Sequence, residues 1–169
     1  MELRALAELC EKIAATTKRS LMIDIVAEFI KGLDENEIEP ALSMILGRSL
    51  PRWDQRELEV SWATLVTVIN RLTEVDWYRF SNIFKGEGDV GSTVQVIFQT
   101  SKIRKQAALF EKPLTILEVR RVLEAIADSS GQGSREKRER LVETLLGRTS
   151  PVEAKYIVKA MIGEMRTGF

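Results

Sequence analysis

Gly86-Glu87-Gly88-Asp89-Val90-Gly91-Ser92 decides the fold, because it can be read in two incompatible ways. Its G-x-G-x-x-G spacing spells the phosphate-binding fingerprint of a dinucleotide site, and Glu111 even stands about twenty residues further on. That motif works only between a parallel strand and a helix. On both sides of this stretch the apolar residues recur at helical spacing, with Trp77, Phe80 and Phe84 before it and a β-branched run from Thr93 to Lys105 after it. A P-loop fails as well, since Ser92 follows Gly91 where lysine is required. The glycines therefore read as a break between two helices, a turn whose backbone amides face an anion ahead of the next helix. Gly88, Gly91 and Ser92 are its candidate contacts. An enzyme binding a nucleotide at this loop is the lesser alternative.

Outward from that break the pattern stays helical. Leu3, Leu6, Leu9, Cys10 and Ile13 form one stripe, Leu21, Ile25, Phe29 and Ile30 the next, and Ile38, Leu42, Ile45 and Leu46 a third. Leu50-Pro51 interrupts the pattern, because proline disfavours helix at the residue before it. Apolar helix resumes from Leu58 to Leu72 and from Val75 to Phe84. Gln106 to Pro113 is a connector, and Thr115 with Glu118 three residues on signs a capping box for a helix to Ala127. Two more helices are expected at 135–146 and 151–165, with Pro151 in a first turn that tolerates it. No strand is expected. The fold class is all-α, a compact multi-helix domain over 1–169 built of two similar lobes, roughly 1–85 and 92–169, with no significant sheet.

The lobes are suggested by a repeat. Thr16-Thr17-Lys18-Arg19-Ser20 leads to Ile45-Leu46-Gly47-Arg48 as Ser129-Ser130-Gly131-Gln132-Gly133-Ser134 leads to Leu145-Leu146-Gly147-Arg148. In each copy a polar loop opens a basic helix. Free amides, the helix dipole and adjacent cations at Thr16, Thr17, Lys18, Arg19, Gly131, Gly133, Ser134 and Lys137 suit a phosphate without base contacts. The plain alternative is a solvated basic helix after a flexible loop, and helical hairpins resemble each other by composition.

Bulk properties narrow the function classes. The formal charge is zero, yet from Gln99 onward 14 Lys/Arg stand against 9 Asp/Glu, and before it 11 against 16, so +5 faces −5. A basic face is compatible with that split. Histidine is absent, which excludes His-based acid–base catalysis, Ser-His-Asp and Cys-His arrangements and the usual zinc sites. One cysteine, Cys10 among apolar neighbours, excludes an internal disulfide framework and reads as a core thiol. No metal ligand set and no catalytic residue emerges. No run nears the roughly 18 apolar residues that span a membrane, and the start lacks a signal-peptide layout. A cytoplasmic chain with no membrane partner is expected. Finally, Gln106, Leu109 and Phe110 behind a basic lead-in could anchor a short helical turn in a partner's apolar pocket, or be an ordinary buried pair.

Taken in order, several short motifs carry a resemblance: Leu6-Ala7-Glu8-Leu9 with Thr16-Thr17-Lys18, Ile45-Leu46-Gly47-Arg48 through Pro51-x-Trp53-Asp54-x-Arg56-Glu57-Leu58, and Gly88-Asp89-Val90-Gly91. Pro113-Leu114-Thr115-Ile116, Gly131-x-Gly133-Ser134, Glu153-Ala154-Lys155-Tyr156-Ile157 and Met165-Arg166-Thr167-Gly168 follow. Over essentially its whole length the chain resembles the N-terminal DNA-binding domain of archaeal-type ATP-dependent DNA ligases. The resemblance implies an all-helical, non-catalytic piece that grips nicked double-stranded DNA through phosphates and the minor groove, in replication, repair and recombination. It adds Arg166 to the DNA contacts and places a sliding-clamp motif at Gln106, Leu109 and Phe110. No lysine here has Asp-Gly at the second and third positions after it, so the adenylated lysine, with its ATP and Mg, is expected in catalytic and OB domains of a longer parent chain. No cofactor is expected in this part. A helical interaction module docking on a clamp is the alternative.

Overall fold

Helix starts punctuate this chain. Asp34, Ser61, Asp76, Asp89, Thr115 and Ser150 each stand in extended conformation immediately before a helix, where a short oxygen-bearing side chain can take up a first-turn amide. The computed structural model describes residues 1–103 and 112–163. Among them the chain runs α1 (Leu3–Ala14), α2 (Arg19–Lys31), α3 (Glu35–Ile45), α4 (Trp62–Thr73), α5 (Trp77–Glu87), α6 (Val90–Thr100), α7 (Ile116–Ala127), α8 (Ser134–Leu146) and α9 (Pro151–Ile162). There is no sheet among the described residues, only an isolated antiparallel bridge between Glu2 and Thr115. The all-α expectation holds.

Boundaries differ from the periodicity in two places. The apolar run from Leu58 becomes helical only at Trp62, because Glu59 takes a left-handed φ of 54° and Ser61 caps the helix by accepting from the Thr64 amide. Residues 50–61 cross the surface as irregular chain instead. Gly86, read as part of a break, lies inside α5; the chain turns two residues later, at Gly88 with φ 82°. Glycine there costs nothing sterically.

One contiguous core holds the helices together. Leu3, Leu6, Cys10 and Ile13 of α1, Ile45 of α3, Leu65 and Ile69 of α4, Val94 and Ile97 of α6, Leu123 of α7, Leu145 of α8 and Ile157 of α9 all belong to it. α9 is central: it lies along α6 in the most extensive helix pair and also touches α1 and α3, whereas α2 packs on α1 alone among the closely packed pairs. The contacts α1 on α9, α3 on α7, α4 on α8 and α5 on α6 all cross the 1–85 and 92–169 division. The two segments therefore share a core rather than closing one each. Two pairings correspond between the first three helices and the last three, α1 on α2 with α7 on α8 and α1 on α9 with α3 on α7, but α1 also packs on α3 while α7 and α9 are not among the closely packed pairs. The bridge is reciprocal, with the Leu3 amide on the Leu114 carbonyl at 2.8 Å and the Ile116 amide on the Met1 carbonyl at 3.1 Å.

Three carboxylates, Glu37 buried and Glu11 and Glu39 half-buried, tie elements together. Glu39 accepts from Arg120 on α7 and from Ser43; Glu11 accepts from Lys155 at 2.9 Å and from the Tyr156 hydroxyl at 3.0 Å; Glu37 takes the Met1 amine and the Asp34 amide. Burial pushes Glu11 and Glu39 up, but their cationic and hydroxyl donors outweigh it, and Glu37 is drawn down chiefly by the amine, so all three sit below the ordinary glutamate value of 4.5. A depressed folded pKa means that protons bind the unfolded chain first, so the stability these groups contribute is complete above about 4.5 and is lost as pH falls through the lower folded values. Thermal melts should show Tm dropping steeply between about pH 4.5 and pH 2. A Tm that stays level down to about pH 2 is the opposite result. With no histidine in the chain, no imidazole adds a transition between about pH 5 and 8.

Candidate functional site

Every helix leaves its first amides without intrahelical partners, and what fills that vacancy separates these helices into two kinds. Side chains close α4, α5, α6, α7 and α9 through Ser61, Asp76, Asp89, Thr115 and Ser150, and Asp34 closes α3 in a capping box with Glu37. α1 has no side-chain cap, but its first amide is taken by the Leu114 carbonyl. Among the described helices, α2 and α8 alone have neither a side-chain cap nor a first amide bonded to another element; the first amide of α8 only turns back on the Gly131 carbonyl of its own loop. They are the two helices that follow the repeated polar loops.

At α2 the N-cap is Lys18, which caps nothing; its own amide donates to Thr16 Oγ1 at 3.2 Å. Thr17, Lys18 and Arg19 are exposed, Thr16 is half-buried, and no acidic residue stands in the first turn. Neither Lys18 nor Arg19 has an ion-pair partner among the described residues. At α8 the N-cap is Gly133, left-handed at φ 77°, two residues after Gly131 at φ 80°. Nothing lies within 4 Å of a Cβ built on either glycine, so they serve the backbone turn and not a tight fit. Ser134 is half-buried and its amide returns to the Gly131 carbonyl at 3.2 Å. Lys137 is exposed and unpaired among the described residues.

Two further cations of α8 are already engaged. Arg135 bonds Glu139 at 3.3 Å, and Arg138 reaches the Ser129 carbonyl at 3.3 Å and Glu59 at 3.4 Å. Arg140, three residues beyond Lys137 and hence on the same side of α8, is exposed and also unpaired among the described residues. The sequence reading passed over it, although its spacing from Lys137 was the available signal. Arg148 spends its guanidinium on Glu118 and on the Lys112 carbonyl, both at 3.1 Å, while Arg48 is exposed and unpaired among the described residues.

The turn at 86–92 is built differently from the other two. Asp89 accepts from the Ser92 amide at 2.8 Å and from Ser92 Oγ at 2.7 Å, and lies 3.8 Å from Lys159 Nζ. Burial alone would raise the Asp89 carboxyl, yet the Ser92 donors and the neighbouring lysines hold it below its ordinary value. This helix start thus already carries its anion, the Asp89 carboxylate. Gly91 is buried against α9: a Cβ there would stand 2.8 Å from the Lys155 carbonyl and 2.6 Å from Lys159 Cγ. Of the expected contacts in this turn, Gly88 alone is exposed. The difference from the sequence reading arises because Asp89, treated as a spacer, is the cap. Helices on both sides also remove the dinucleotide-binding reading.

Gln106, Leu109, Phe110 and Arg166 lie outside the described residues. Cys10 is buried, and burial, followed by the adjacent Glu11 carboxylate, pushes its thiol up to about 12. It is an unreactive core thiol. No group of His, Cys, Asp and Glu that could hold a metal ion occurs among the described residues, and no described helix is long and apolar enough to cross a membrane.

A family model described as DNA ligase N terminus matches residues 2–169. DNA ligase 1 of Korarchaeum cryptofilum is 38% identical across 99% of this chain and 29% of its own length. The DNA ligases of Thermococcus fumicolans and Methanocaldococcus jannaschii are each 33% identical, across 99% and 98% of the chain and 30% and 29% of their own lengths. The chain thus spans less than a third of these relatives.

Proposed function

Because the chain belongs to the family of DNA ligase N termini, we propose that it is the part of such a ligase that holds nicked duplex DNA by its phosphates and minor-groove face, leaving the sealing chemistry, with its ATP and Mg, to the rest of the parent protein. One observation carries the reading: the two helix starts that have neither a side-chain cap nor a bond to another element are those flanked by lysines unpaired among the described residues, Lys18 at the N-cap of α2 and Lys137 in the first turn of α8. An open helix start offers converging N–H donors and the positive end of a dipole, and a nearby ammonium adds charge. A backbone phosphate satisfies all three at once. Such contacts position a protein without reading sequence, which suits an enzyme that must seal any nick. Both starts stand on helices that share one contiguous core, through Met22 and Val26 of α2 and Val142 and Leu145 of α8, which supports assigning them to one ligand.

Affinity built this way is governed by counterion release. Titrating labelled nicked and intact duplex with this chain from about 50 to 200 mM salt should give a linear fall of log affinity against log salt, with a slope of about −0.9 per phosphate neutralised and little dependence on sequence. A slope near zero, or no binding at about 50 mM salt, removes the reading.

A further inference from the structure

The segment Pro51-x-Trp53-Asp54-x-Arg56-Glu57-Leu58 lies outside the two helix starts assigned to phosphate, and residues 50–61 form no helix. Its polar side chains nevertheless converge on one place. Arg56 donates from Nε to both Asp54 carboxylate oxygens at 3.1 and 3.2 Å and from Nη2 at 2.6 Å, and its amide bonds Asp54 Oδ1 at 3.0 Å. That fixes the guanidinium plane and leaves Nη1 for Asp128, with which it pairs. Three residues on, Glu59, held at its left-handed φ, meets Arg138, which also bonds the Ser129 carbonyl. Asp128 and Ser129 are the residues immediately before the α7–α8 turn. Among the described residues, no hydrogen bond or ion pair ties the α1–α2 loop to an element other than the helices it joins.

Charge sharpens the point. Asp128 is the C-cap of α7, where the helix dipole disfavours a carboxylate, and it stands five residues before the Gly133 cap. The Arg56 and Asp128 side chains keep 41% and 63% of their surface exposed, and exposed pairs contribute little to global stability. A stabilising role is therefore a poor account of so fully oriented an arginine.

Resting on the phosphate-binding reading above, we propose that Arg56, with Asp54 orienting it and with Glu59 and Arg138 beside it, is a positioning residue that straps the α7–α8 turn into its anion-receiving shape and masks the Asp128 charge. The α8 site is in this way pre-formed, and the α2 site, borne on a helix packed mainly on α1, is the adjustable one.

Amide hydrogen exchange of the unliganded chain tests the strap directly. In Arg56→Gln, residues 129–134 should exchange about tenfold faster while residues 16–20 do not change; Asp128→Asn cuts the same link from the other side and should do likewise. Unchanged exchange at 129–134 in both variants overturns the proposal. Binding to nicked duplex separates masking from direct contact. Arg56→Gln should weaken it roughly three- to tenfold, and adding Asp128→Asn should recover the part due to the unmasked carboxylate but not the part due to the loosened turn, a coupling that a double-mutant cycle isolates. If instead Arg56→Gln lowers the salt slope by about one and Asp128→Asn restores nothing, Arg56 is itself a phosphate contact and the strap is wrong. If the unmodified chain shows no salt-dependent binding, the DNA reading fails, and the exchange measurement still decides the strap.

Discussion

Reversing Lys18 and Lys137 together to glutamate is expected to remove most of the measurable binding to nicked duplex. Each lysine stands beside an uncapped helix start, at α2 and at α8, and neither has an ion-pair partner among the described residues to lose. A charge-assisted hydrogen bond contributes about 1.5–3 kcal/mol, so alanine at either position should cost roughly ten- to a hundredfold and reduce the magnitude of the salt slope by about one. Glutamate adds repulsion to that loss and should push the double variant to the detection limit. Folding should be untouched, because both side chains are exposed and neither serves as a side-chain cap; far-UV dichroism and Tm check this. Lys85 is an exposed cation in the last turn of α5, on neither of these helices, and Lys85→Glu is the control for net charge. Equal losses in Lys85→Glu and in the double variant would mean that overall charge attracts the DNA and that the helix starts have no special part.

How much of this was legible beforehand differs between elements for physical reasons. Helix existence followed from the 3.6-residue recurrence of apolar residues, and the α7 boundary from Thr115 and Glu118, because these signals are local. The two open helix starts were legible as well: Thr17-Lys18-Arg19 and Gly131-x-Gly133-Ser134 lack the Asp, Ser or Thr at the N-cap position that the other interior starts carry. What was not legible depends on distant partners. Arg135 and Arg138 look as available as Lys137 until Glu139 and Glu59 are seen beside them. The role of Arg56 turns on Asp128, 72 residues away in the chain, a pairing that no local pattern encodes. The packing demand at Gly91 was hidden for the same reason, since the group it accommodates belongs to α9.

That last residue gives the second large effect. Gly91→Ala is expected to destabilise the fold by about 1–3 kcal/mol, the usual cost of forcing extra atoms into a packed interior, and Gly91→Val by more. A Cβ at position 91 meets the Lys159 side chain at 2.6 and 2.8 Å and the Lys155 carbonyl at 2.8 Å. The lysine can swing aside; the carbonyl belongs to the α9 backbone and cannot. Relief therefore requires α6 to move away from α9, which disturbs the most extensive helix pair in the core. In a domain of this size each kcal/mol lowers Tm by about 2–4 °C, so alanine should lower it by roughly 2–12 °C, and Lys159→Ala in the same chain should recover only the part due to the side chain. Gly133→Ala is the informative contrast. It places a side chain at φ 77° with nothing within 4 Å, so its strain is local to the turn, and it should weaken duplex binding more than it lowers Tm. If Gly91→Ala instead leaves Tm in place and flattens the salt dependence, position 91 faces a phosphate, and the close approach of α6 to α9 is not the reason for its glycine.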